Sequence, residues 1–292
     1  SADKFMLSPI IFGCKVLEIT NCTTNNRPAI ILLPTNGLLT DVIAARTEAI
    51  LKQCEKSSVV LKLSLDGPEE VHDSLRGVVG AFRKTMETFR ALTPLLDRYP
   101  NFELGINTVF CSANQDYMDG LIDYVKNLDR PVTHTVSLIR GDVPDASLKN
   151  MDVDKYYRAV RTLESDLKKK LSGRYRFRGA RLKTAQDIIQ RRLIHETVEK
   201  NRRLIKCVAG RLTLVLTEYG DVYPCEPLAK KMGNVRKDGC DISSLLKTDR
   251  AREIIDLIKN NGCHCTHECY FITNILFNPR LYPTLAKEYV QL

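Results

Sequence analysis

The sequence predicts an α/β protein, in which a parallel sheet wrapped by helices precedes a small, cysteine-rich α+β domain with a β-hairpin. Strand and helix patterns alternate through the first two thirds of the 292 residues, which is typical of a parallel sheet covered by helices. After Cys207 the pattern changes to short strands, a turn that contains glycine, and closely spaced cysteines. We therefore expect domains at residues 1–203 and 204–275, followed by a tail at residues 276–292.

The first predicted domain contains β-prone runs separated by stretches with helical periodicity. The predicted strands are Lys15–Thr20, Ala29–Leu33, Val59–Leu65, Phe102–Phe110 and Val132–Ile139. The predicted helices are Asp41–Cys54, an apolar stripe over residues 82–96, Met118–Asn127, Asp154–Leu171 and Thr184–Lys200.

The second predicted domain is built around a hairpin. Leu212–Thr217 and Val222–Tyr223 flank a turn that contains Gly220, an arrangement typical of antiparallel strands. An amphipathic helix with Ile254 and Ile258 follows, and then a dense run of cysteines and histidines at Cys263–Cys269. This segment has few apolar residues for a core of its own, so a bound metal would help to fold it.

The composition restricts the class of protein. Hydrophobic residues make up 43% and charged residues 27%, as in ordinary globular proteins. No run of eighteen apolar residues occurs, which excludes a membrane-spanning helix. The N-terminal residues lack the apolar core of a secretory signal, and we expect a cytoplasmic protein. Ten cysteines in such a compartment indicate metal ligation rather than a disulfide scaffold.

The positive charge is concentrated in Lys168–Lys206, which has fourteen Lys or Arg and three acids, a net charge of +11 within a chain of +9. Such a segment attracts phosphorylated substrates, nucleic acid or an anionic surface. The alternative is a solvated helical face. Aromatic residues that could stack on bases are scarce there, which disfavours nucleic acid. Within it, residues 174–178 either contact an anionic substrate or form an exposed strand or loop.

Five cysteines are candidate metal ligands: Cys207, Cys225, Cys263, Cys265 and Cys269. The hairpin brings the first two to one end, and the other three lie on a loop after a helix. Four thiolates satisfy a [4Fe–4S] or a [2Fe–2S] cluster and leave one cysteine over. Zinc is the alternative metal, because His264 and His267 lie in the same loop and structural zinc takes four nitrogen or sulfur ligands.

Several motifs together carry a family resemblance. They are Leu33–Gly37, Ser64–Gly67, Pro68–Asp73 with Arg76 and Gly77, Asn107–Val109, Ser137–Gly141, Gly220–Cys225, Gly233 with Asn234, and the terminal cysteine run. In this order and spacing the chain resembles radical S-adenosylmethionine enzymes that end in a SPASM or twitch domain. The resemblance covers nearly the whole chain.

The resemblance implies a partial (β/α)6, TIM-like barrel. In such enzymes a [4Fe–4S] cluster on a CxxxCxxC loop reduces S-adenosylmethionine to a 5′-deoxyadenosyl radical, which abstracts hydrogen from the substrate. By the same resemblance Ser64 contacts the cofactor, and the other residues of its cavity are Thr35, Asn36, Asp66, Asn107 and Arg140. Turn formation is the alternative role for these strand-end residues, because Asn-Gly and Asp-Gly favour turns.

The resemblance also assigns the cysteines of the second domain to an auxiliary [4Fe–4S] cluster, held by Cys207, Cys225 and Cys269, with Cys265 preferred to Cys263 as the fourth ligand. Such a cluster transfers electrons or anchors the substrate in an oxidoreductase or a maturase-like enzyme. The implied partners are a peptide or small-molecule substrate, which could be anionic, and an electron donor such as flavodoxin or ferredoxin.

One departure from the family is specific. The sequence contains neither a CxxxCxxC motif nor the Gly-Gly-Glu-Pro turn that follows the second strand of the family. The connection Asn21–Pro28 has eight residues, whereas a parallel crossover needs about a dozen or more. We therefore predict a missing segment between Cys22 and about Asn25. If it is absent from the protein, radical chemistry is impossible.

Two non-enzymatic alternatives stay open on the sequence. One is a degenerate barrel that binds a peptide or an anion and keeps a structural metal site. The other is a zinc protein that binds nucleic acid.

Overall fold

The computed structural model describes residues 28–237, 239, 241–260 and 263–292. The predicted strand Lys15–Thr20 and the predicted missing segment after Cys22 lie outside the described residues. The chain divides into two compact units, one ending at Ala180 and the other beginning at Arg181.

The first unit is built on a four-stranded parallel sheet with the strand order β1-β2-β3-β4. The α/β class is thus confirmed. The four described strands do not close into a barrel. The strands are β1 (Ile30–Thr35), β2 (Ser58–Ser64), β3 (Phe102–Phe110) and β4 (Thr133–Leu138).

Helices connect and follow these strands. The predicted stripe over residues 82–96 forms two helices rather than one, because Pro94 has no N–H for a continuous helix. The helices are α1 (Thr40–Gln53), α2 (Glu69–Arg76), α3 (Ala81–Leu92), α4 (Leu95–Arg98), α5 (Met118–Lys126) and α6 (Val153–Lys168), with 3-10 turns at Gln115–Tyr117 and Ala146–Lys149.

The two faces of the sheet differ in chemistry. On one face, Val59, Leu61 and Leu63 of β2 are buried beside apolar residues of β3. Successive side chains of a strand point to opposite faces. The other face therefore carries the polar residues Lys62 and Ser64 of β2. When both faces of a parallel sheet pack in an apolar core, both faces carry apolar residues. The polar residues on one face of this sheet therefore indicate the face that is available for a ligand.

Part of the polar face is covered by residues 174–178. The Glu103 carboxylate accepts the backbone N–H groups of Arg176 and Phe177, both at 2.9 Å. The Lys62 ammonium, 6% exposed, donates to Thr133 Oγ1 at 2.5 Å and lies 5.2 Å from the centre of the Tyr175 ring. The segment is therefore a loop held against the sheet, in which Tyr175 and Phe177 are half-buried while Arg176 and Arg178 are exposed.

The second unit contains a three-stranded antiparallel sheet with the order β5-β6-β7. The predicted hairpin is confirmed as β5 and β6, and β7 adds a strand that the sequence does not predict. The strands are β5 (Val215–Leu216), β6 (Asp221–Tyr223) and β7 (Gly233–Asn234). The helices are α7 (Ala180–Lys200), α8 (Ile242–Leu245), α9 (Asp249–Lys259), α10 (Glu268–Leu276) and α11 (Tyr282–Gln291), with a 3-10 turn at Pro279–Leu281. All of α7 except its first residue belongs to the second unit.

The residues predicted as a C-terminal tail form helix α11. Asn278 caps the preceding 3-10 turn through the N–H of Arg280, and Glu288 of α11 pairs with Arg192 at 2.6 Å. No helix in the described part of the chain has the length and apolar character that crossing a membrane requires.

Candidate functional site

Cys207 lies directly before a tight turn. The N–H of Val208 donates to Asn274 Oδ1 at 2.8 Å, and the N–H of Gly210 donates to the Thr213 carbonyl at 2.9 Å. Gly210 has a positive φ of 79°, and a Cβ atom there would lie 3.2 Å from Pro224 Cβ. A glycine therefore permits the close approach of this turn to the residue that precedes Cys225.

Cys225 follows strand β6 and is buried. The N–H of Leu228 hydrogen-bonds its sulfur, and the N–H of Glu226 donates to the Tyr270 hydroxyl at 2.9 Å. The hairpin leading to Cys225 is braced by Asn234, whose amide donates to the Tyr219 carbonyl at 3.0 Å. The conformation of the chain on both sides of Cys225 is thus fixed by hydrogen bonds.

Cys263 and Cys265 lie between helices α9 and α10, and both are half-buried. The Arg203 guanidinium donates to the carbonyls of Ile258 and Lys259 at the end of α9. These carbonyls have no partner within the helix, so Arg203 fixes the point at which the cysteine loop leaves α9.

Four cysteines line one small cavity of about 80 Å³ in the second unit. Cys269, on α10, is exposed and is not among the lining residues. The cavity is lined by Cys207, Cys225, Cys263 and Cys265, together with Ala209, Pro227, Leu228, Ile258, His264 and Tyr270.

Two thiols of this cavity, those of Cys225 and Cys263, have raised pKa values. Burial raises the pKa of the Cys225 thiol to about 11, and the neighbouring Cys265, Cys207 and Cys263 act in the same direction. Burial also raises the pKa of the Cys263 thiol. Because metal ligation requires thiolates, loading of this site must release protons.

The donor set fits an iron–sulfur cluster better than a single zinc ion. Among the described residues, no three His, Cys, Asp or Glu side chains lie close enough to hold one metal ion. A tetrahedral zinc site needs its sulfurs about 3.8 Å apart, because each Zn–S bond is about 2.3 Å long. In a cluster each cysteine binds a separate iron, so four cysteines that line one cavity can hold it without sharing a single ion.

The two histidines of the loop have different surroundings. His264 lines the cavity and its Nε2 lies 3.1 Å from Asn201 Oδ1. His267 is buried, its Nε2 lies 2.6 Å from Glu226 Oε2, and its ring contacts Tyr270 edge-on. His267 is not among the lining residues, which disfavours a zinc site that uses His267 as a ligand.

In the first unit, polar side chains lie near the ends of neighbouring strands, among them two of the predicted cofactor contacts. Ser64 is the register partner of Asn107, and the Ser137 hydroxyl donates to Asn107 Oδ1 at 3.2 Å. Ser64 and Asn107 are both half-buried. Hydroxyl and amide groups in this row could hydrogen-bond a ribose or a carboxylate.

Thr35 and Asn36 form a turn after β1. Thr35 pairs in register with Leu63 and is buried, so it lies on the sheet face opposite Ser64. Its Oγ1 accepts the N–H of Gly37 at 3.3 Å, and Asn36 Oδ1 accepts the N–H of Leu38 at 3.2 Å. The side chain of Thr35 is thus turned away from the face of Ser64, and Asn36 lies in the turn that follows β1.

Asp66 is 4% exposed, and its polar groups are bound by the protein itself. Its carboxylate accepts the Arg76 guanidinium at 2.5 Å and the N–H of Val109 at 2.9 Å. Its own N–H donates to His72 Nδ1 at 3.0 Å, and its carbonyl accepts the Asn114 amide at 2.8 Å. Asp66 thus joins the ends of β2 and β3 to α2 and positions the turn after Ser64.

The motif that contains His72, Asp73, Arg76 and Gly77 is explained by this arrangement. Asp73 accepts the N–H groups of Gly80 and Phe82, and Gly77 ends α2 with a positive φ of 64°. Nothing in the sequence pattern indicates that Asn114 belongs to the same network. Arg140 is half-buried two residues beyond β4.

Much of the basic segment is paired within its own unit. In the first unit Lys168 pairs with Glu164 at 2.9 Å. In the second unit Lys200 pairs with Glu196 at 2.8 Å, and Lys183 pairs with Asp187. These contacts favour the interpretation that the basic residues of α6 and α7 belong to solvated helical faces.

The site for a radical cluster has no matching ligands in the sequence. Apart from the residues of the second-unit cavity and its neighbour Cys269, the described cysteines are Cys54 and Cys111, which are both buried. No CxxxCxxC motif occurs anywhere in the chain. The residues present therefore do not fit that cluster, and we assign no reaction step to it.

Residues 207–270 match the SPASM family, described as an iron–sulfur cluster-binding domain. Two curated relatives are both named AdoMet-dependent heme synthase. The one from Methanosarcina barkeri (strain Fusaro / DSM 804) is 26% identical over 231 residues, which is 76% of this chain and 62% of that protein. The one from Oleidesulfovibrio alaskensis is 24% identical over 216 residues, 70% of this chain and 52% of that protein. The chain thus spans between half and two thirds of the length of these relatives.

Two solved structures share the fold. One is a polyhistidine-tagged anSMEcpe with bound AdoMet, with a TM-score of 0.55, 17% identity, and coverage of 98% of this chain and 78% of that chain. The other is native anSMEcpe with bound AdoMet, with a TM-score of 0.53, 19% identity, and coverage of 97% and 78%. The chain shares the fold of these AdoMet-bound structures, and its residues 207–270 match the SPASM iron–sulfur cluster-binding domain, as the sequence resemblance predicts.

Proposed function

We propose that the protein is an S-adenosylmethionine-dependent radical enzyme that acts on a small anionic molecule of the heme-precursor type and uses an auxiliary iron–sulfur cluster. The observation that carries this proposal is the cavity lined by four cysteines, within the residues that match the SPASM family. The names of the two curated relatives support the substrate class.

The auxiliary cluster would be held by Cys207, Cys225, Cys263 and Cys265. When bound, such a cluster supplies one-electron transfer. The protein contributes apolar walls that limit water, and a Leu228 N–H directed at the Cys225 sulfur. Hydrogen bonds to cluster sulfurs and burial are the means by which a protein sets the reduction potential of a cluster.

S-adenosylmethionine would bind at the end of the parallel strands. Ser64 and Asn107 would contact the cofactor, with Ser137 orienting the Asn107 amide at 3.2 Å. Asn36 and Arg140 would complete the same edge, while Asp66 and Thr35 would hold the strand-end turns in position. Ligands of open α/β sheets bind at the carboxyl ends of the strands, which supports this assignment.

The proposal requires the cluster loop that the sequence does not contain. We therefore infer that a segment between Cys22 and about Asn25 belongs to the functional protein. Expression of the intact gene should give a mass well above 33.1 kDa. After anaerobic reconstitution and reduction, that protein should convert S-adenosylmethionine to 5′-deoxyadenosine. A longer protein that forms no 5′-deoxyadenosine would refute the proposed activity.

A second function is favoured by one specific observation, the absence of a CxxxCxxC motif. In this case the chain is a non-enzymatic binding module with a structural metal site in its second unit. An intact mass of 33.1 kDa, with about four iron and four sulfide per chain, would support the module over the enzyme.

A further inference from the structure

The second unit contains another cavity next to the cysteine site, with a different chemical character. It has a volume of about 520 Å³, within the range of about 300–1,000 Å³ that small-molecule sites occupy. It is lined by Arg203, Leu204, Ile205, Lys206, Cys207, Arg211, Lys259 and Asn260. Four of these residues are cationic and none is acidic.

The position of the cavity links it to the proposed cluster. Cys207 lines both cavities, so a ligand in the basic cavity would lie beside one ligand of the cluster. The side chains of Lys206, Arg211 and Lys259 belong to exposed residues and can reach a ligand from solvent. Leu204 and Ile205 provide an apolar surface against the body of an organic molecule.

Arg203 prepares this cavity for an anion. The C-terminus of α9 carries a partial negative charge that would repel an anion. The Arg203 guanidinium donates to the Ile258 carbonyl at 2.5 Å and to the Lys259 carbonyl at 3.2 Å, which satisfies that helix end. The remaining three cations are then available for a ligand.

We propose that this cavity binds an organic polycarboxylate through Lys206, Arg211 and Lys259, with its apolar part against Leu204 and Ile205. A single inorganic anion would fill little of the volume, whereas a molecule with several carboxylates on an apolar scaffold matches both the cations and the apolar wall. This ligand class rests on the proposed function, since heme precursors carry several carboxylates, but binding does not depend on radical formation.

Binding is tested on the reconstituted full chain with a porphyrin tetracarboxylate, its neutral tetra-amide, and tripolyphosphate, by fluorescence titration or calorimetry. The tetracarboxylate should bind, and the tetra-amide should bind at least tenfold more weakly. Lys206→Gln, Arg211→Gln and Lys259→Gln should each weaken tetracarboxylate binding roughly tenfold, the effect of one lost charge-assisted hydrogen bond. Arg202→Gln and Lys287→Gln remove exposed charges that do not line the cavity, and should leave binding unchanged.

A second measurement uses the cluster itself. An anion beside Cys207 disfavours the reduced, more negative cluster, so the tetracarboxylate should lower its reduction potential, and reaching the same shift in the Arg211→Gln variant should take roughly tenfold more ligand than in the wild-type chain. Equal binding of the tetra-amide, insensitivity to all three cavity substitutions, or binding of tripolyphosphate alone would overturn the proposal. Failure to form 5′-deoxyadenosine would refute the radical activity and leave the binding result standing.

Discussion

His72 makes the turn beside the proposed cofactor site sensitive to acid. The residue is fully buried, with its Nδ1 accepting the Asp66 N–H at 3.0 Å. Burial lowers the pKa of His72 from 6.5 to about 4, and Arg76 acts in the same direction, while Asp66 and Asp73 oppose the shift. The folded protein therefore holds this imidazole neutral at pH values at which the unfolded chain protonates it.

The sign of the effect follows from proton linkage. Between pH 6.5 and about 4 the unfolded state binds the additional proton, so stability rises with pH in that window and is lost on acidification. Each pKa unit corresponds to about 1.4 kcal/mol. Acidification from pH 7 to pH 5 should therefore remove about 2 kcal/mol of the free energy of unfolding through His72.

His72→Asn is the matched variant, because the asparagine Oδ1 can replace Nδ1 as an acceptor for the Asp66 N–H and does not titrate. Urea unfolding followed by circular dichroism at pH 7 and pH 5 measures both proteins. The stability difference between wild type and variant should shrink by about 2 kcal/mol at the lower pH. A difference that stays constant would refute a buried, neutral His72.

Two further predictions concern the polar face of the sheet. Glu103→Ala should destabilise the first unit by about 1–3 kcal/mol, because the partly buried N–H groups of Arg176 and Phe177 lose their acceptor. Glu103→Gln keeps an acceptor, so its urea midpoint should fall less than that of Glu103→Ala. Equal losses in the two variants would contradict this role. Gly105→Ala should lower the stability by about 1–3 kcal/mol, because its Cβ would lie 2.5 Å from Lys62 Nζ; an unchanged thermal midpoint would contradict the packing.

The strands can be predicted from the sequence because each is a compact run of β-branched and apolar residues. The predicted strand Phe102–Phe110 has the observed bounds, and the other described strands of the parallel sheet agree within two residues. Strand β7 has only Gly233 and Asn234, which is too short for any periodicity. It forms because Asn234 hydrogen-bonds Asp221 and Tyr219, and these contacts depend on the hairpin having folded.

Site residues are harder to predict, because motif identity does not determine the direction of a side chain. Spacing identifies five cysteines but cannot show that Cys269 is exposed while Cys263 faces the cavity. Likewise, Asp66 is predicted at the cofactor cavity, yet its carboxylate is bound by Arg76 and by Val109. Val109 is 43 residues from Asp66 in the sequence, so only the folded strands bring these two residues together.

The most direct test of the central claim is the iron and sulfide content of single cysteine variants after anaerobic reconstitution. Cys207→Ser, Cys225→Ser, Cys263→Ser and Cys265→Ser should each lose the auxiliary cluster and its electron paramagnetic resonance signal, because each of these cysteines lines the cavity. Cys269→Ser should keep both, because Cys269 is exposed outside it. Loss of the cluster in Cys269→Ser, or its retention in the Cys225→Ser variant, would contradict the account.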